Sequence, residues 1–253
     1  LKRKQRNIGI NVYAIFSIIT IFCIWEFVTL FEWVPDFMLP TPLQVIQAFI
    51  NDFSLLMFHA RITLIEAAYG LILGMFLGII VALIMDRFKR VKEALYPILV
   101  LTQTIPTIAI APLLTVWFGF GIMPKVVLII ITIFFPVSIA MLNGFSSIDQ
   151  DEVRLLRSMG ASQIQIFWHI KIPSSLDDFF AVMKVAVTYS VIGAVISEWL
   201  GGVVGLGVYM TRVRKSYNFD KMFAVIFLIS VLSLLLVGLI NVIQRLSMPW
   251  KKD

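Results

Sequence analysis

Long apolar runs, broken by short polar intervals, dominate this chain. A helix needs about twenty apolar residues to cross a bilayer core, and the pattern places six spans at about 8–31, 62–85, 94–118, 124–145, 179–199 and 221–244. The expectation is an all-α membrane protein of six transmembrane helices, with one transmembrane domain occupying 1–253 and a core at about 58–245. The longest polar-rich interval of the second half is Asp149 to Asp178, between spans four and five. Asp149 with Glu152 three residues on reads as a capping box that opens a short helix, and Gly160 supplies the left-handed residue that closes it. Ser162 with Gln165 repeats the signal for a second short helix carrying Ile164, Phe167, Trp168 and Ile170. Pro173 is expected to end that helix, and Ser175 to cap the apolar run that follows.

Other polar or helix-breaking residues sit where lipid would not favour them. After span one, Pro35 and Leu39-Pro40-Thr41-Pro42 make a rigid extended stretch, and Leu43 to Phe58 reads as an amphipathic brace along the outer membrane surface. Gly70, Gly74 and Gly78 form two overlapping G-x-x-x-G steps on one face of span two, suited to close helix packing either within one subunit or between subunits. Pro97, Pro106 and Pro112 interrupt span three, with Gln103, Thr104 and Thr107 between them. Broken backbone at membrane depth survives only inside protein or beside a wet cavity, which makes Gln103, Thr104, Pro106 and Thr107 candidates for a translocation path. Lys184 lies early in span five and is expected to snorkel to the surface. Glu198 ends that span on the outer side, either hydrated at the bilayer edge or facing a substrate path, and Glu26 is a weaker instance.

Composition agrees. Hydrophobic residues make up 60% and charged residues 14%, against roughly a quarter charged in soluble domains. The net charge of +6 then reads as topology rather than nucleic-acid binding. Lys2, Arg3, Lys4, Arg6, Arg87, Lys89, Arg90, Lys92, Arg154, Arg157, Lys171, Arg245, Lys251 and Lys252 share one side when the N-terminus is cytoplasmic. Arg212, Arg214 and Lys215 dissent and are outvoted. The orientation is N-in and C-in, with the 149–178 loop cytoplasmic. The first span reads as a signal anchor. Cys23 alone cannot form a disulfide or a thiolate metal site within one chain. His59 and His169 fall on opposite sides of the membrane and cannot share a metal. No Walker loop, H-E-x-x-H or G-x-S-x-G occurs, so any ATP-burning motor is a separate protein. No cofactor, metal or catalytic residue is expected.

Gly160, nine residues, then Ile170-Lys171-Ile172-Pro173 resembles the EAA loop of permease subunits of binding-protein-dependent ABC importers. Arg154, Leu155 and Leu156 stand where that family has E-A-A. The stretches Ile105-Pro106, Ala111-Pro112-Leu113, Trp117 to Gly121 and Phe134-Phe135-Pro136 are similar to its nitrate, sulfonate and taurine branch. Ile196 to Gly202 with Gly205 to Met210 is similar to its thiamine-precursor subgroup. The resemblance implies a type I importer permease fold with a cytoplasmic coupling helix, in a bacterial inner membrane. It implies a cytoplasmic ATPase dimer, an extracytoplasmic substrate-binding protein and a second permease subunit as partners, most simply a homodimer, with no nucleic acid. Glu152, Arg154, Arg157, Gly160, Ala161, Ile170 and Pro173 would couple to the ATPase. The solute would be small and polar: nitrate, a sulfonate such as taurine, or a pyrimidine precursor of thiamine. A secondary transporter or channel acting without an ATPase is the alternative, and a membrane enzyme ranks last for want of convergent acid, base or metal ligands.

Overall fold

A computed structural model describes residues 12–35 and 37–249. The terminal basic residues used to orient the chain (Lys2, Arg3, Lys4, Arg6, Lys251 and Lys252) and the start of span one lie outside them. Every regular element among the described residues is helical. Spans one, two, four and six correspond to α1 (Val12–Leu30), α3 (Phe53–Arg87), α6 (Ile122–Ser146) and α11 (Phe219–Ser247), each long and apolar enough to cross a membrane.

Span three is not straight. It is α4 (Lys89–Thr102) and α5 (Thr107–Phe118), which meet at 97°. Of its three prolines only Pro106 breaks the helix, whereas Pro97 lies inside α4 and Pro112 inside α5. Hydroxyls accompany the break. The Thr102 and Thr104 hydroxyls donate to the carbonyls of Leu99 and Leu101 at 2.8 and 2.7 Å. The Leu101 carbonyl also accepts the Thr104 N–H at 3.1 Å, so the end of α4 is satisfied locally.

Between α6 and span five run α7 (Gln150–Ser158), α8 (Gln163–Ile166) and a π-turn over Phe167–Lys171 that feeds α9 (Ile172–Gly201) without a stop. Here two sequence expectations fail. Pro173 does not end a helix but occupies the first turn of α9, where a residue without N–H is tolerated. The π-turn bonds the Ile172 N–H back to the Phe167 carbonyl, carrying the chain across the junction. Ser175 is therefore inside the helix, donating to the Ile172 carbonyl at 3.0 Å rather than capping.

The outer connections also carry unexpected order. Pro42 opens α2 (Pro42–Asn51), capped by a Thr41–Gln44 box. The expected brace over 43–58 therefore divides at Asp52 into α2 and the start of α3. Val45 and Ala48 of α2 are buried with Ala224 of α11, against Trp25 of α1. The loop after span five holds a further helix, α10 (Leu206–Lys215), whose Tyr209, Met210 and Val213 pack with Leu56 and Ala60 of α3. The Lys184 ammonium donates to Gln244 Oε1 at 2.6 Å, in the last turn of α11, tying α9 to α11.

The core is the contact of α3 with α6. A Cβ on Gly70 would overlap Ile129, one on Gly74 would lie 3.2 Å from Ile133 Cβ, and one on Gly78 would lie 2.8 Å from Val137 Cγ1. Ile129, Ile133 and Val137 are fully buried. Successive four-residue steps of one helix thus seat in the four-residue steps of the other, so the glycines let the backbones approach as ridges meet grooves. Because α6 of the same chain covers this face, it is not available to a second subunit.

Candidate functional site

Two polar regions stand out, one at each end of the core. At the end that the basic residues assign to the cytoplasm, α7 and α8 form a hairpin. Asp149 caps α7 by accepting the Asp151 N–H at 2.8 Å, so the cap forms one residue earlier than the expected Asp149–Glu152 box. Gly160 turns the chain at φ +85° with open space around it, a conformation that costs an L side chain roughly 1–2 kcal/mol. Ser162 and Gln165 form the expected reciprocal box over α8. Ile148, Val153 and Ile166 are buried beneath the turn, with Ala161 and Ile170 packed against them.

The outer surface of this hairpin is mixed. Glu152, Arg154 and Arg157 are exposed, as is Pro173, and Arg154 pairs with Asp151 at 3.0 Å. Beside them Leu155, Met159, Ile164 and Trp168 are exposed, Met159 at 74% and Ile164 at 71%. Such bare apolar side chains beside charged ones are what a protein partner would cover. The hairpin is also tied to the membrane part. Lys171, at the end of the π-turn, donates to Asp86 Oδ2 at 2.5 Å, at the inner end of α3. A cavity of about 840 Å³ lies alongside, lined by Arg87, Lys92, Tyr96, Val153, Arg157 and Lys171 among others.

At the opposite end, polar side chains continue the α3–α6 ladder. Glu66 precedes Gly70 by four residues and Lys125 precedes Ile129 by four. The two therefore occupy the next step of the same register, and they form an ion pair at 2.5 Å with side chains 4% and 7% exposed. Glu66 Oε2 is buried with no donor. The Glu66 carboxyl lies within hydrogen-bonding reach of Glu198, where one proton held between the two carboxyls supplies the donor.

Glu198 is buried, 1% exposed. It accepts the Thr63 hydroxyl at 2.7 Å and the Gly207 N–H at 2.6 Å. Thr63 in turn accepts the Leu206 N–H at 2.9 Å, and His59 Nδ1 accepts the Gly205 N–H at 3.0 Å. His59, Thr63 and Glu198 thus hold the glycine-rich entry to α10, where Gly205 has φ +135° and a Cβ would strike the Glu198 carboxyl. Sequence reasoning missed Glu66 and Lys125. Their signal was the spacing of four that extends the glycine stripe upward.

Further out, Asp52 joins three elements by accepting the Tyr209 hydroxyl at 2.5 Å and pairing with Lys221 at 2.7 Å. The hydrogen bond from Lys221, then that from Tyr209, hold the Asp52 carboxyl below its ordinary range against the opposing effect of burial. Burial and the Asp52 carboxylate push the Tyr209 hydroxyl up. Gln103, Thr104, Pro106 and Thr107 lie together at the α4–α5 bend, remote in sequence and element from the Glu66 cluster; all but Thr107 are exposed. His169 is exposed on the cytoplasmic hairpin and makes no pair with His59. No cluster suited to a metal ion occurs among the described residues.

Comparison with known proteins identifies the family. Residues 74–249 match the family described as binding-protein-dependent transport system inner membrane component. The formylaminopyrimidine transport permease protein ThiX of Halalkalibacterium halodurans is 36% identical over 217 residues, 85% of this chain and 87% of that protein. The taurine transport system permease protein TauC of Escherichia coli K12 is 27% identical over 254 residues, 97% of this chain and 91% of that one. In fold, a crystal structure of an amino acid ABC transporter superposes with a TM-score of 0.64 at 17% identity, over 79% of this chain and 97% of its own. An inward-facing MetNI methionine ABC transporter superposes with a TM-score of 0.59 at 18% identity, over 78% and 94%. The chain belongs to the family of membrane-embedded permeases of binding-protein-dependent ABC importers, in the inner membrane.

Proposed function

We propose that two copies of this chain form the membrane part of an importer for a pyrimidine precursor of thiamine. A pair of ATPase subunits drives it from the cytoplasm and a solute receptor feeds it from outside. The observation that carries the solute is the 36% identity over 217 residues with a formylaminopyrimidine permease, against 27% for the taurine and one of the sulfonate relatives. A sulfonate is the second reading, favoured by the greater length of the taurine alignment.

The coupling role rests on the hairpin. Its exposed Glu152, Arg154 and Arg157 stand among bare Leu155, Met159 and Ile164, a mixture suited to docking a soluble protein. Ala161 and Ile170 support the turn from beneath, and Pro173 begins the long lever of α9. Closure of the ATPases would bias the pair of permeases between two packings, provided that the motor binds those packings with different affinity.

Uptake of labelled formylaminopyrimidine and of taurine, by cells making the permease with its ATPase and receptor, tests the solute. Pyrimidine uptake alone is expected; taurine uptake alone would refute the reading. Gly160→Val tests the hairpin. Its Cβ meets no atom, so only the turn is strained, and ATP hydrolysis should continue while uptake falls at least fivefold. Undiminished uptake at normal membrane abundance would refute the coupling role.

A further inference from the structure

The cytoplasmic cavity of about 840 Å³ falls within the range of small-molecule sites, about 300–1,000 Å³. It lies between the α7–α8 hairpin and the turn joining α3 to α4. Met85, Phe145, Val153 and Ile166, all buried, give it an apolar floor. Five basic side chains and two acidic ones stand around it. Both acids are taken, Asp86 by Lys171 and Glu93 by Lys89 at 3.8 Å. That leaves Arg87, Lys92 and Arg157, none of which pairs with a carboxylate among the described residues. Arg87 lies over the Phe88 ring at 5.6 Å, a contact that neutralises no charge.

The tendency of basic residues to collect on the cytoplasmic side accounts for their presence there but not for their convergence. Arg90 is an instance of that tendency, exposed and outside the cavity. The other three come from separate elements, the last turn of α3, the first turn of α4 and the last turn of α7, and line one recess. Like charges brought together repel, so the arrangement is unfavourable until an anion stands among them.

The level of the cavity identifies the anion. Along α3 the apolar run gives way at Asp86 and Arg87, and α4 passes from Lys89 and Lys92 to Tyr96 and Pro97 as the chain turns apolar again. The cavity spans both transitions. A tyrosine beside basic side chains marks the headgroup layer of a bilayer, which is where lipid phosphates lie. Arginine meets a phosphate through two parallel N–H groups, and basic pockets between helices on the cytoplasmic side take phospholipid headgroups.

We propose that this cavity binds the phosphate of an anionic phospholipid, held by Arg87, Lys92 and Arg157. Arg157 belongs to the hairpin, whereas Arg87 and Lys92 belong to the membrane part. The bound phosphate therefore ties one to the other, beside the Lys171–Asp86 bond. The site itself rests on the three cations; its effect on transport rests on the coupling role above.

The test is lipid retention by the delipidated permease–ATPase complex in nonionic detergent. Phosphatidylglycerol and phosphatidylcholine with the same acyl chains are supplied in equal amount, and native mass spectrometry reads what stays bound. Wild type should retain phosphatidylglycerol preferentially. Arg87→Gln and Lys92→Gln should each lower that preference about fivefold, the contribution of one basic group at a lipid surface. Arg90→Gln, between the two in sequence but outside the cavity, should lower it less than about twofold. An equal fall in all three variants overturns the site, because general attraction of basic residues to anionic lipid would then suffice. Equal retention of both lipids by wild type overturns it as well. A further arm titrates inorganic phosphate alone into the lipid-free complex by calorimetry. No binding that Arg87→Gln removes is expected; such binding would assign the cavity to soluble phosphate and overturn the lipid. Failure of the coupling role is separate: it shows as full uptake by Gly160→Val, whatever the lipid assay gives.

Discussion

Glu198 offers a direct measure of what holds the outer end together. Replacing it with alanine removes the acceptor of the Gly207 N–H and of the Thr63 hydroxyl. Thr63 can fall back on the His59 carbonyl, which it already approaches at 3.2 Å, but Gly207 is left with a buried, unpaired N–H. That loss costs about 1–3 kcal/mol. The emptied space, formerly filled by a side chain 1% exposed, adds about 2–3 kcal/mol, the lower part of the range for large-to-small core changes. Partial relaxation of the surroundings offsets some of this, leaving an expected loss of about 3–5 kcal/mol. At about 2–4 °C per kcal/mol for a chain of this size, the melting temperature should fall by roughly 6–20 °C. Glu198→Gln keeps the shape. Its carbonyl can accept from Gly207 and its NH2 can donate to Thr63 Oγ1, so a loss within about 1 kcal/mol is expected. Melting of purified protein in detergent, followed by size-exclusion chromatography, reads both variants. An alanine variant within about 2 °C of wild type, a change of under about 1 kcal/mol, would refute the argument. So would a glutamine variant that falls as far as alanine, because charge rather than hydrogen bonding would then hold the loop.

Two further outcomes follow from the ion pairs at the helix ends. Lys171→Met should lower uptake several-fold while ATP hydrolysis continues, because the hairpin loses its bond to Asp86 on α3; exchanging the two charges should restore part of the uptake, and a parallel fall of both rates in reconstituted vesicles would exclude a transmitting role. Asp52, whose carboxyl is depressed by Lys221 and Tyr209, contributes stability that is fully present above the ordinary carboxylate range and is lost as pH falls through its lower folded value. Melting temperature measured from pH 7 to pH 3 should therefore drop at the acid end, and Asp52→Asn should flatten that limb; an unchanged acid limb in the variant would assign the effect to other groups.

Much of the hairpin was legible because its determinants are local. Gly160 at positive φ and the Ser162–Gln165 box depend on residues within a few positions of each other, and short polar segments between apolar runs leave few alternatives. The junction after it was misread because the π-turn over Phe167–Lys171 carries the chain past Pro173, and that turn has no signature as plain as a proline. The bend in span three was half legible: three prolines announced a break, but Pro97 and Pro112 stay inside helices and only Pro106 marks it.

What the sequence by itself determined, then, was the number of apolar runs, the class of fold and the cytoplasmic turn, since length, hydropathy and capping act over short distances. Which faces of those helices meet was settled only in three dimensions. In a bilayer the side toward lipid and the side toward protein are both apolar, so the periodicity that betrays a buried face in water is nearly silent here. The pairing of Glu66 with Lys125 became visible only when α3 and α6 aligned in register, because their opposite charges are 59 residues apart and neither one's neighbours in sequence name the other.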